Sequence, residues 1–331
     1  DFAVNSMVAN IADNLIIPGY EDLQQKVDVM AEDVNAFSAD INQNNLDALR
    51  ASWLDAYLSF QNVAQYEFGP AEDAFLRNSV NNFPINAGNV DDNIASGSYN
   101  FNSPDAFDKG FPALDYLLYG IGADDQAILT QFADSAYSRY LQDVTADIKF
   151  RVDSVTFKWT DSYRESFVRA SGTAAGTALS LLVNNLNQHF EIIKRDKIGI
   201  PVGVVTLGFT NPEKVEAFYS GKSLELAVAS LEASEDLYLG GNGSGFDDFL
   251  TEIEAAKDGE SLDKLIQDQF ASGIETLKAL QGPLSEAVNA DKAAVENAYN
   301  EVVKNLVNLK TDMPSVLCVT ITYVDNPSDS D

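Results

Sequence analysis

Apolar residues recur every three or four positions along most of the chain, which is the spacing of one face of an α-helix. The clearest case is residues 284–309, where one helical face carries Leu284, Val288, Val295, Ala298, Val302, Leu306 and Leu309. The same spacing predicts further helices over 6–39, 45–68, 105–119, 124–150, 151–169, 173–195, 223–237, 246–256 and 262–280. Pro18 and Gly19 interrupt the first of these helices, and we expect a kink there.

The helical pattern fails in three stretches. Residues 77–104 are rich in Asn, Gly, Ser and Pro, which predicts an irregular connection, and a loop of this length is often functional. Residues 198–208 are apolar but broken by glycine and proline, which predicts a buried crossing loop or a short extended piece. Residues 316–324 alternate threonine with apolar residues, which predicts one extended segment.

Helices of this length, joined by short turns and without alternating strands, indicate an all-α protein built from helical bundles. A chain of 331 residues is long for one compact core and comfortable for two domains. We therefore predict an N-terminal bundle over residues 1–150 and a C-terminal bundle over residues 151–331. Irregular loops would connect the helices, and the extended segment would follow the last one.

The charge of the chain narrows the range of partners. Its net charge is −30 and its isoelectric point is near 4.1, while its hydrophobic fraction of 45% is ordinary for a globular protein. Such a surface repels nucleic acid and anionic lipid headgroups, so we expect no nucleic-acid partner. Metal ions, basic proteins and neutral ligands remain, and solubility alone would also explain the charge.

The sequence also bears on location. No segment approaches the roughly 18 consecutive apolar residues that cross a bilayer, so we expect no transmembrane segment. The chain opens at Asp1 without a charged and apolar leader, which suggests a mature or trimmed product of an exported protein. Cys318 is the single cysteine, and it excludes an internal disulfide bond.

Several stretches together resemble the imelysin-like family, also called peptidase family M75. They are residues 14–28, 53–72, 109–120, 171–191, 197–204 and 312–323. The resemblance covers nearly the whole chain. It implies an all-helical protein of two four-helix bundles that look like an old duplication, with a site between them. It also implies an exported bacterial protein of the periplasm, outer membrane or cell surface, often a lipoprotein, linked to iron uptake.

The signature of that family is G-x-H-x-x-E, and it matches residues 110–115 only in part. Gly110 is kept, but Pro112 stands in place of the histidine and Asp115 in place of the glutamate. A histidine and an acid three residues apart on a helix can share one ion, whereas proline has no lone pair to offer. We therefore predict no catalytic residue, and the zinc-peptidase role is in doubt.

The motif still supplies candidate ligand-binding residues, namely Gly110, Pro112, Asp115 and Tyr119. A structural role competes with this interpretation. Because Phe111 precedes a proline, Pro112 is expected to be the first helical residue. Asp115 would then end the first turn, where its charge interacts favourably with the helix dipole.

Three residues are candidate metal ligands: Glu67, Asp115 and His189. Glu67 is expected at the C-terminal end of the second helix, where an acid opposes the dipole and therefore indicates a partner. His189 is the only histidine, which excludes zinc motifs with two, and a packed, hydrogen-bonded core histidine is favoured over a ligand. The carboxylates favour a hard cation such as iron(III) or calcium.

These observations leave three hypotheses. The first is a non-catalytic envelope protein of iron uptake that binds a metal ion, a small ligand or an envelope protein between the bundles. The second is a metallopeptidase of the M75 type with a modified active site. The third is a structural or adhesive role of the acidic surface.

Overall fold

The computed structural model describes residues 2–104 and 106–323 of the chain. In its first half the α-helices are α1 (Val4–Ile11), α2 (Ile17–Ala39), α3 (Gln43–Val63), α4 (Pro70–Asp73), α5 (Leu76–Val80), α6 (Ala87–Ser96), α7 (Gly110–Tyr119), α8 (Asp125–Gln131), α9 (Ser135–Lys158) and α10 (Arg164–Arg169). In its second half they are α11 (Ala178–Ile192), α12 (Ile200–Val202), α13 (Ser223–Leu239), α14 (Phe246–Glu252), α15 (Leu262–Lys278), α16 (Leu284–Ala290), α17 (Lys292–Val307) and α18 (Met313–Val316). The all-α prediction is confirmed.

The sheet in the described residues is minimal. Strands β1 (Ala256–Lys257) and β2 (Glu260–Ser261) pair antiparallel, with Ala256 opposite Ser261. They follow α14, so the helix predicted over 246–256 ends earlier, at Glu252. The helices found in residues 2–104 and 106–323 are each too short or too polar to cross a lipid bilayer.

Wider π-helical turns join several consecutive α-helices, at Ala12–Ile16, Trp159–Tyr163, Ile193–Gly199 and Asn308–Asp312. Three of these π segments directly precede an α-helix whose second residue is proline, namely Pro18, Pro201 and Pro314. Proline cannot donate a backbone hydrogen bond, and its ring clashes with the carbonyl four residues earlier. A π turn widens the helix at that point and makes room for the proline ring. The helix therefore continues through Pro18, where the sequence predicts an interruption.

Two predicted helices are each divided by an acidic cap. The helix predicted over 124–150 is α8 and α9, because the Asp134 carboxylate accepts the Ala136 N–H (2.9 Å) and starts α9. The helix predicted over 284–309 is α16 and α17, because the Asp291 carboxylate accepts the Ala294 N–H (3.1 Å). An Asp side chain that satisfies the first free N–H groups begins a new helix whatever the apolar spacing.

The stretches without helical spacing also differ from expectation. Residues 77–104 contain the rest of α5 and all of α6, which Asn86 caps through the Asn89 N–H (3.2 Å). Residues 198–208 are not a buried crossing loop, because they begin as helix and end in an exposed turn where Leu207 is 96% accessible. The helix predicted over 105–119 begins at Gly110, and residue 105 lies outside the described residues.

The predicted extended segment is only partly visible, since residue 324 and those after it lie outside the described residues. Residues 316–323 form no ladder with the described strands. The Asn184 side chain of α11 holds them instead: it donates to the Thr320 carbonyl (3.0 Å) and accepts the Thr322 N–H (2.6 Å). One amide side chain of α11 therefore holds this segment, in place of a strand ladder.

The long helices pack in two groups. In the first group α2 lies against α3 and α9, and α7 against both α3 and α9; in the second, α15 lies against α13 and α17, and α13 against α11. Helices α3 and α13 contact each other across the two groups, and one continuous apolar core extends from Met7 to Val319. The boundary predicted at residue 150 falls inside α9. The division into bundles 1–150 and 151–331 stays a prediction.

Candidate functional site

A cavity of about 190 Å³ lies between α7 and residues 213–219, which precede α13. The first half of the chain contributes aromatic, aliphatic and acidic side chains, and the second half adds a short charged and aromatic segment: Phe83, Pro84, Ile85, Pro112, Asp115, Glu213, Lys214, Val215, Ala217, Phe218 and Tyr219. We call it the Asp115 cavity. Segments distant in sequence build its walls, and two of the motif residues lie among them.

Asp115 is the buried acid of this cavity, with 1% of its surface exposed. Its carboxylate accepts two backbone hydrogen bonds from the other wall, from Tyr219 N and from Ser220 N, both at 2.9 Å. Burial raises the pKa of Asp115 to about 6, because desolvation outweighs the stabilising effect of the Ser220 side chain and of these N–H groups. The side chain therefore ties α7 to the segment before α13.

The expected dipole role of Asp115 is wrong. Because α7 begins at Gly110, Pro112 is its third residue rather than its first, and Asp115 lies in the second turn. The N–H groups that bind its carboxylate belong to Tyr219 and Ser220 rather than to its own helix.

The other motif residues have separate roles. Gly110 has a φ of +75°, and a Cβ atom there would lie 2.3 Å from the Val80 carbonyl oxygen, so only glycine fits. Pro112 lines the cavity together with Asp115. Tyr119 lies beneath Arg50, whose guanidinium carbon is 4.4 Å from the ring centre. The structure thus brings Pro112 and Asp115 together at the cavity, while Gly110 shapes the start of α7.

The sequence predicts Glu67 at the C-terminal end of a helix. That prediction is wrong, because α3 ends at Val63 and Glu67 lies beyond it. Both of its carboxylate oxygens accept the backbone N–H of Arg77 at 3.1 Å, in the first turn of α5. Its charge therefore meets the N-terminal rather than the C-terminal end of a helix, where an acid is favoured. Burial raises the pKa of Glu67 to about 7, and the Arg77 charge partly opposes that rise.

His189 is a packed core residue with 1% exposure, but the expected hydrogen bonds are absent. Both ring nitrogens are buried without a hydrogen-bond partner. Burial holds the pKa of His189 well below its usual value, and the nearby charges of Lys197 and Arg77 lower it further. The imidazole is therefore neutral at pH 7.

The three candidate metal ligands are not brought together as one set. Among the residues that the structure describes, no three His, Cys, Asp or Glu side chains are grouped closely enough to hold a metal ion. Asp115 bonds to Tyr219 and Ser220, whereas Glu67 bonds to Arg77. Any metal bound at the Asp115 cavity would therefore have to bring some of its own ligands.

Sequence reasoning misses a buried ion pair beside the cavity. Lys197 and Glu216 are 2% and 1% exposed, and the lysine ammonium donates to the glutamate. Lys197 also donates to Gln61 (3.0 Å), and Glu216 accepts from Asn81 (2.8 Å). We call these four residues, with Tyr57 and Ser230 that bond to Asn81 and Gln61, the Lys197–Glu216 cluster.

The sequence offers one signal for this cluster. Glu216 stands between Val215 and Ala217 in a short apolar stretch, whereas Lys197 is the last residue of a charged run over 194–197. A charged residue in an apolar stretch is buried only when it is paired, so the position of Glu216 indicates a partner, whereas that of Lys197 resembles a solvated charge. Neither position indicates which partner, since the pair is 19 residues apart and Gln61 is 136 residues from Lys197.

The family model described as imelysin, peptidase M75, matches residues 16–313. Iron-regulated protein A of Synechococcus elongatus is 19% identical over 304 residues, which cover 88% of this chain and 80% of that protein.

Two crystal structures share the fold. A putative iron-regulated protein A precursor from Parabacteroides distasonis superimposes with a TM-score of 0.81 at 20% identity, covering 95% of this chain and 94% of that one. An imelysin-like protein from Psychrobacter arcticum superimposes with a TM-score of 0.76 at 18% identity, covering 98% and 99%. With a family model that matches most of its length, this chain belongs to the imelysin family, peptidase M75.

Proposed function

We propose that this protein is an exported, non-catalytic binding protein of the cell envelope that serves iron uptake, and that its ligand binds in the Asp115 cavity. The names of its relatives support the link to iron, since one is an iron-regulated protein A and another a precursor of such a protein. The observation that carries the binding site is the buried carboxylate of Asp115, which lines a cavity between distant segments.

The chemistry of the cavity suits a hard cation within a small complex. With a pKa of about 6, Asp115 is mostly ionised at pH 7. Each carboxylate oxygen accepts one backbone N–H, and the Ser220 side chain also hydrogen-bonds to the carboxylate. Oxygen ligands of this kind favour iron(III) or calcium over softer metals. The apolar wall formed by Phe83, Ile85 and Phe218 would contact the other ligands of the metal.

A catalytic zinc does not fit the residues present. Zinc peptidases hold the metal with three nitrogen, sulfur or carboxylate ligands and leave one position for water. Here Pro112 offers no ligand atom, and among the described residues the cavity offers only two carboxylates, Asp115, which is already bonded to two N–H groups, and Glu213. The alternative function, a metallopeptidase with a modified site, rests on the family name.

Calorimetry tests the proposal. Iron(III) citrate, haemin and calcium chloride would each be titrated into the wild-type protein, into Asp115→Asn and into Asp161→Asn. Asp161 is an exposed acid away from the cavity, and its substitution controls for the loss of one charge. We expect one of the three probes to bind, and Asp115→Asn to weaken that binding at least tenfold, about 1.4 kcal/mol. Asp161→Asn should leave it unchanged.

Two results would contradict the proposal. If none of the probes binds, the metal and haem forms of the hypothesis are wrong. Proteolysis of a denatured protein substrate that a chelator abolishes, and that Asp115→Ala also removes, would establish the peptidase instead.

A further inference from the structure

We propose that the loop after α12 inserts its tip into the surface of a zwitterionic lipid bilayer. Residues 203–209 form this loop, which we call the apolar loop. Four of its apolar side chains are exposed: Val204 (47%), Val205 (45%), Leu207 (96%) and Phe209 (75%). Single exposed apolar residues are normal on a protein surface, whereas a group of them marks a surface that binds a partner.

The surroundings of the apolar loop are nearly neutral, although the chain as a whole is strongly acidic. Residues 198–212 contain no acidic and no basic residue, in a chain with a net charge of −30. The Lys292 ammonium donates to the Gly208 carbonyl (2.7 Å) and also pairs with Glu296 (3.2 Å), so its charge is balanced. A neutral tip meets no electrostatic barrier at a bilayer whose headgroups carry no net charge.

The backbone of the apolar loop is already hydrogen-bonded. The N–H groups of five of its residues donate to backbone carbonyls of residues 199–206: Gly203, Val204, Thr206, Gly208 and Phe209. The Asn211 amide donates to the Phe209 carbonyl (2.9 Å). A peptide group loses its bonds to water when it enters lipid, so a loop with internal partners enters at a lower cost. The same bonds hold the apolar side chains in the exposed position.

The size of the apolar loop favours lipid over a protein partner. A stable protein interface takes about 20–30 residues from each side, whereas the exposed apolar group is confined to residues 203–209. Insertion into a lipid surface requires only apolar area and no matching shape. The exposure of Leu207 shows that no neighbouring element of the described chain covers this side chain.

The binding is expected to be weak and reversible. A single myristoyl chain binds a bilayer with an association constant of about 10⁴ M⁻¹. Four side chains bury less apolar surface than that chain, so we expect half of the protein to be bound at roughly 1 mM lipid.

The test uses vesicles of palmitoyl-oleoyl-phosphatidylcholine as the probe and co-flotation of the whole chain in a density gradient as the measurement. We expect Leu207→Asn/Phe209→Gln to bind at least tenfold more weakly than the wild type. Leu207 has a φ of +54°, and asparagine tolerates this left-handed conformation, so the backbone of the loop is kept. Thermal unfolding checks that the variant is folded.

A second measurement reports insertion directly. The two native tryptophans, Trp53 and Trp159, are fully buried, so Phe209→Trp places an exposed indole at the tip. We expect phosphatidylcholine with brominated acyl chains to quench the fluorescence of this variant more strongly than that of the wild type.

The matched control removes exposed aromatic surface elsewhere. Phe150 and Phe157 lie on α9 and are 72% and 64% exposed. The variant Phe150→Gln/Phe157→Gln should bind phosphatidylcholine vesicles as tightly as the wild type. Vesicles that contain one third phosphatidylglycerol should bind the wild type more weakly, because the net charge of the chain is repelled by anionic headgroups.

Four results would overturn the proposal. Equal losses in the loop variant and the α9 variant would show that any exposed aromatic residue drives the binding. Tighter binding to the anionic vesicles would show attraction between charges instead of insertion. Equal quenching of Phe209→Trp and the wild type would show that the tip stays outside the acyl chains. No flotation at tens of millimolar lipid would leave a protein as the partner of the loop.

These results are independent of the proposed function. The apolar loop and the described lining of the Asp115 cavity have no residue in common. The calorimetry of metal ions and haemin contains no lipid, so either proposal can fail while the other holds.

Discussion

The Lys197–Glu216 cluster and the Asp115 cavity lie side by side, and each contains one carboxylate almost fully withdrawn from water. Glu216 is 1% exposed, and so is Asp115. The neighbours of Glu216 in the chain, Val215 and Ala217, line the cavity. The two carboxylates differ in what holds them. Glu216 meets a lysine ammonium and the Asn81 amide, whereas Asp115 meets two backbone N–H groups.

This difference separates a closed structural contact from the cavity that we propose as the binding site. In the cluster the positive charge is built in, and every charged group has a side-chain partner. In the cavity the carboxylate is held by neutral hydrogen-bond donors that lower its pKa, but burial outweighs them and raises the pKa to about 6. A buried carboxylate that is held by neutral donors, next to open space, is where a cationic ligand gains most.

The largest effect is expected when the cluster is broken. Lys197→Met leaves the buried Glu216 charge unpaired, and we expect it to lower the free energy of unfolding by about 3–5 kcal/mol. The double variant Lys197→Met/Glu216→Leu should lose less than the sum of the two single variants, because no charge is then left behind. Urea unfolding at pH 7 measures both.

An exposed ion pair provides the matched control. Lys158 and Asp73 are 3.5 Å apart at the surface, and Lys158→Met should cost about 0–1 kcal/mol. A loss below about 1 kcal/mol in Lys197→Met would mean that the buried pair is no more important than the exposed one. The contrast between cluster and cavity would then fail.

An intermediate effect is expected from the pH dependence of Asp115. Burial raises its pKa from 3.8 to about 6, so the ionised carboxylate destabilises the folded state above pH 6. That cost becomes smaller as the pH falls from about 6 towards 3.8, because over this range the folded state binds the proton more tightly than the unfolded state. Between pH 7 and pH 5 the folded wild-type protein should gain about 1 kcal/mol from this group.

The variant Asp115→Asn isolates this contribution. It cannot titrate at this position, while every other acid, including Glu67, is common to both proteins. We therefore expect the free energy of unfolding of the wild type, measured relative to that of Asp115→Asn, to rise by about 1 kcal/mol on going from pH 7 to pH 5. Urea unfolding of both proteins at each pH gives the difference, and an equal difference at the two pH values would contradict the assigned burial cost.

Much of the fold follows from local pattern. The apolar stripes of α2, α13 and α15 are long and regular, so they can be read from the sequence. The divisions at Asp134 and Asp291 depend on single capping carboxylates, which periodicity alone does not detect. The π turns before Pro18 and its counterparts are likewise set by one residue each.

The sequence predicts only the wall of the candidate site that the motif residues form. The motif residues Pro112 and Asp115 do line the cavity, but the N–H groups that hold Asp115 come from residues 104 and 105 positions later. No local pattern encodes such a contact, because it depends on how α7 packs near α13. The burial of Lys197 and Glu216 depends on the same packing. The part of the site that sequence analysis does not predict is therefore the part built by contacts between residues far apart in the sequence.

The smallest effect on stability is expected for a substitution of Tyr119, which lies one helical turn beyond Asp115. Tyr119 is a candidate ligand residue by its position in the motif, yet its ring lies under the Arg50 guanidinium at 4.4 Å and near Trp53. Tyr119→Leu should lower the free energy of unfolding by about 1 kcal/mol, because it removes a cation–π contact and aromatic packing.

Its effect on binding decides how far the cavity extends. We expect Tyr119→Leu to leave the affinity for the bound iron or calcium probe unchanged, since the ring contributes to the contact with Arg50 and not to the cavity wall. Tyr119→Phe keeps the ring and should change neither stability nor affinity measurably. If Tyr119→Phe instead weakens binding tenfold at unchanged stability, the hydroxyl contacts the ligand. The site would then extend past Asp115 toward Arg50, and a cation of the protein would lie beside it. The cavity would in that case resemble the Lys197–Glu216 cluster more closely than the present contacts indicate.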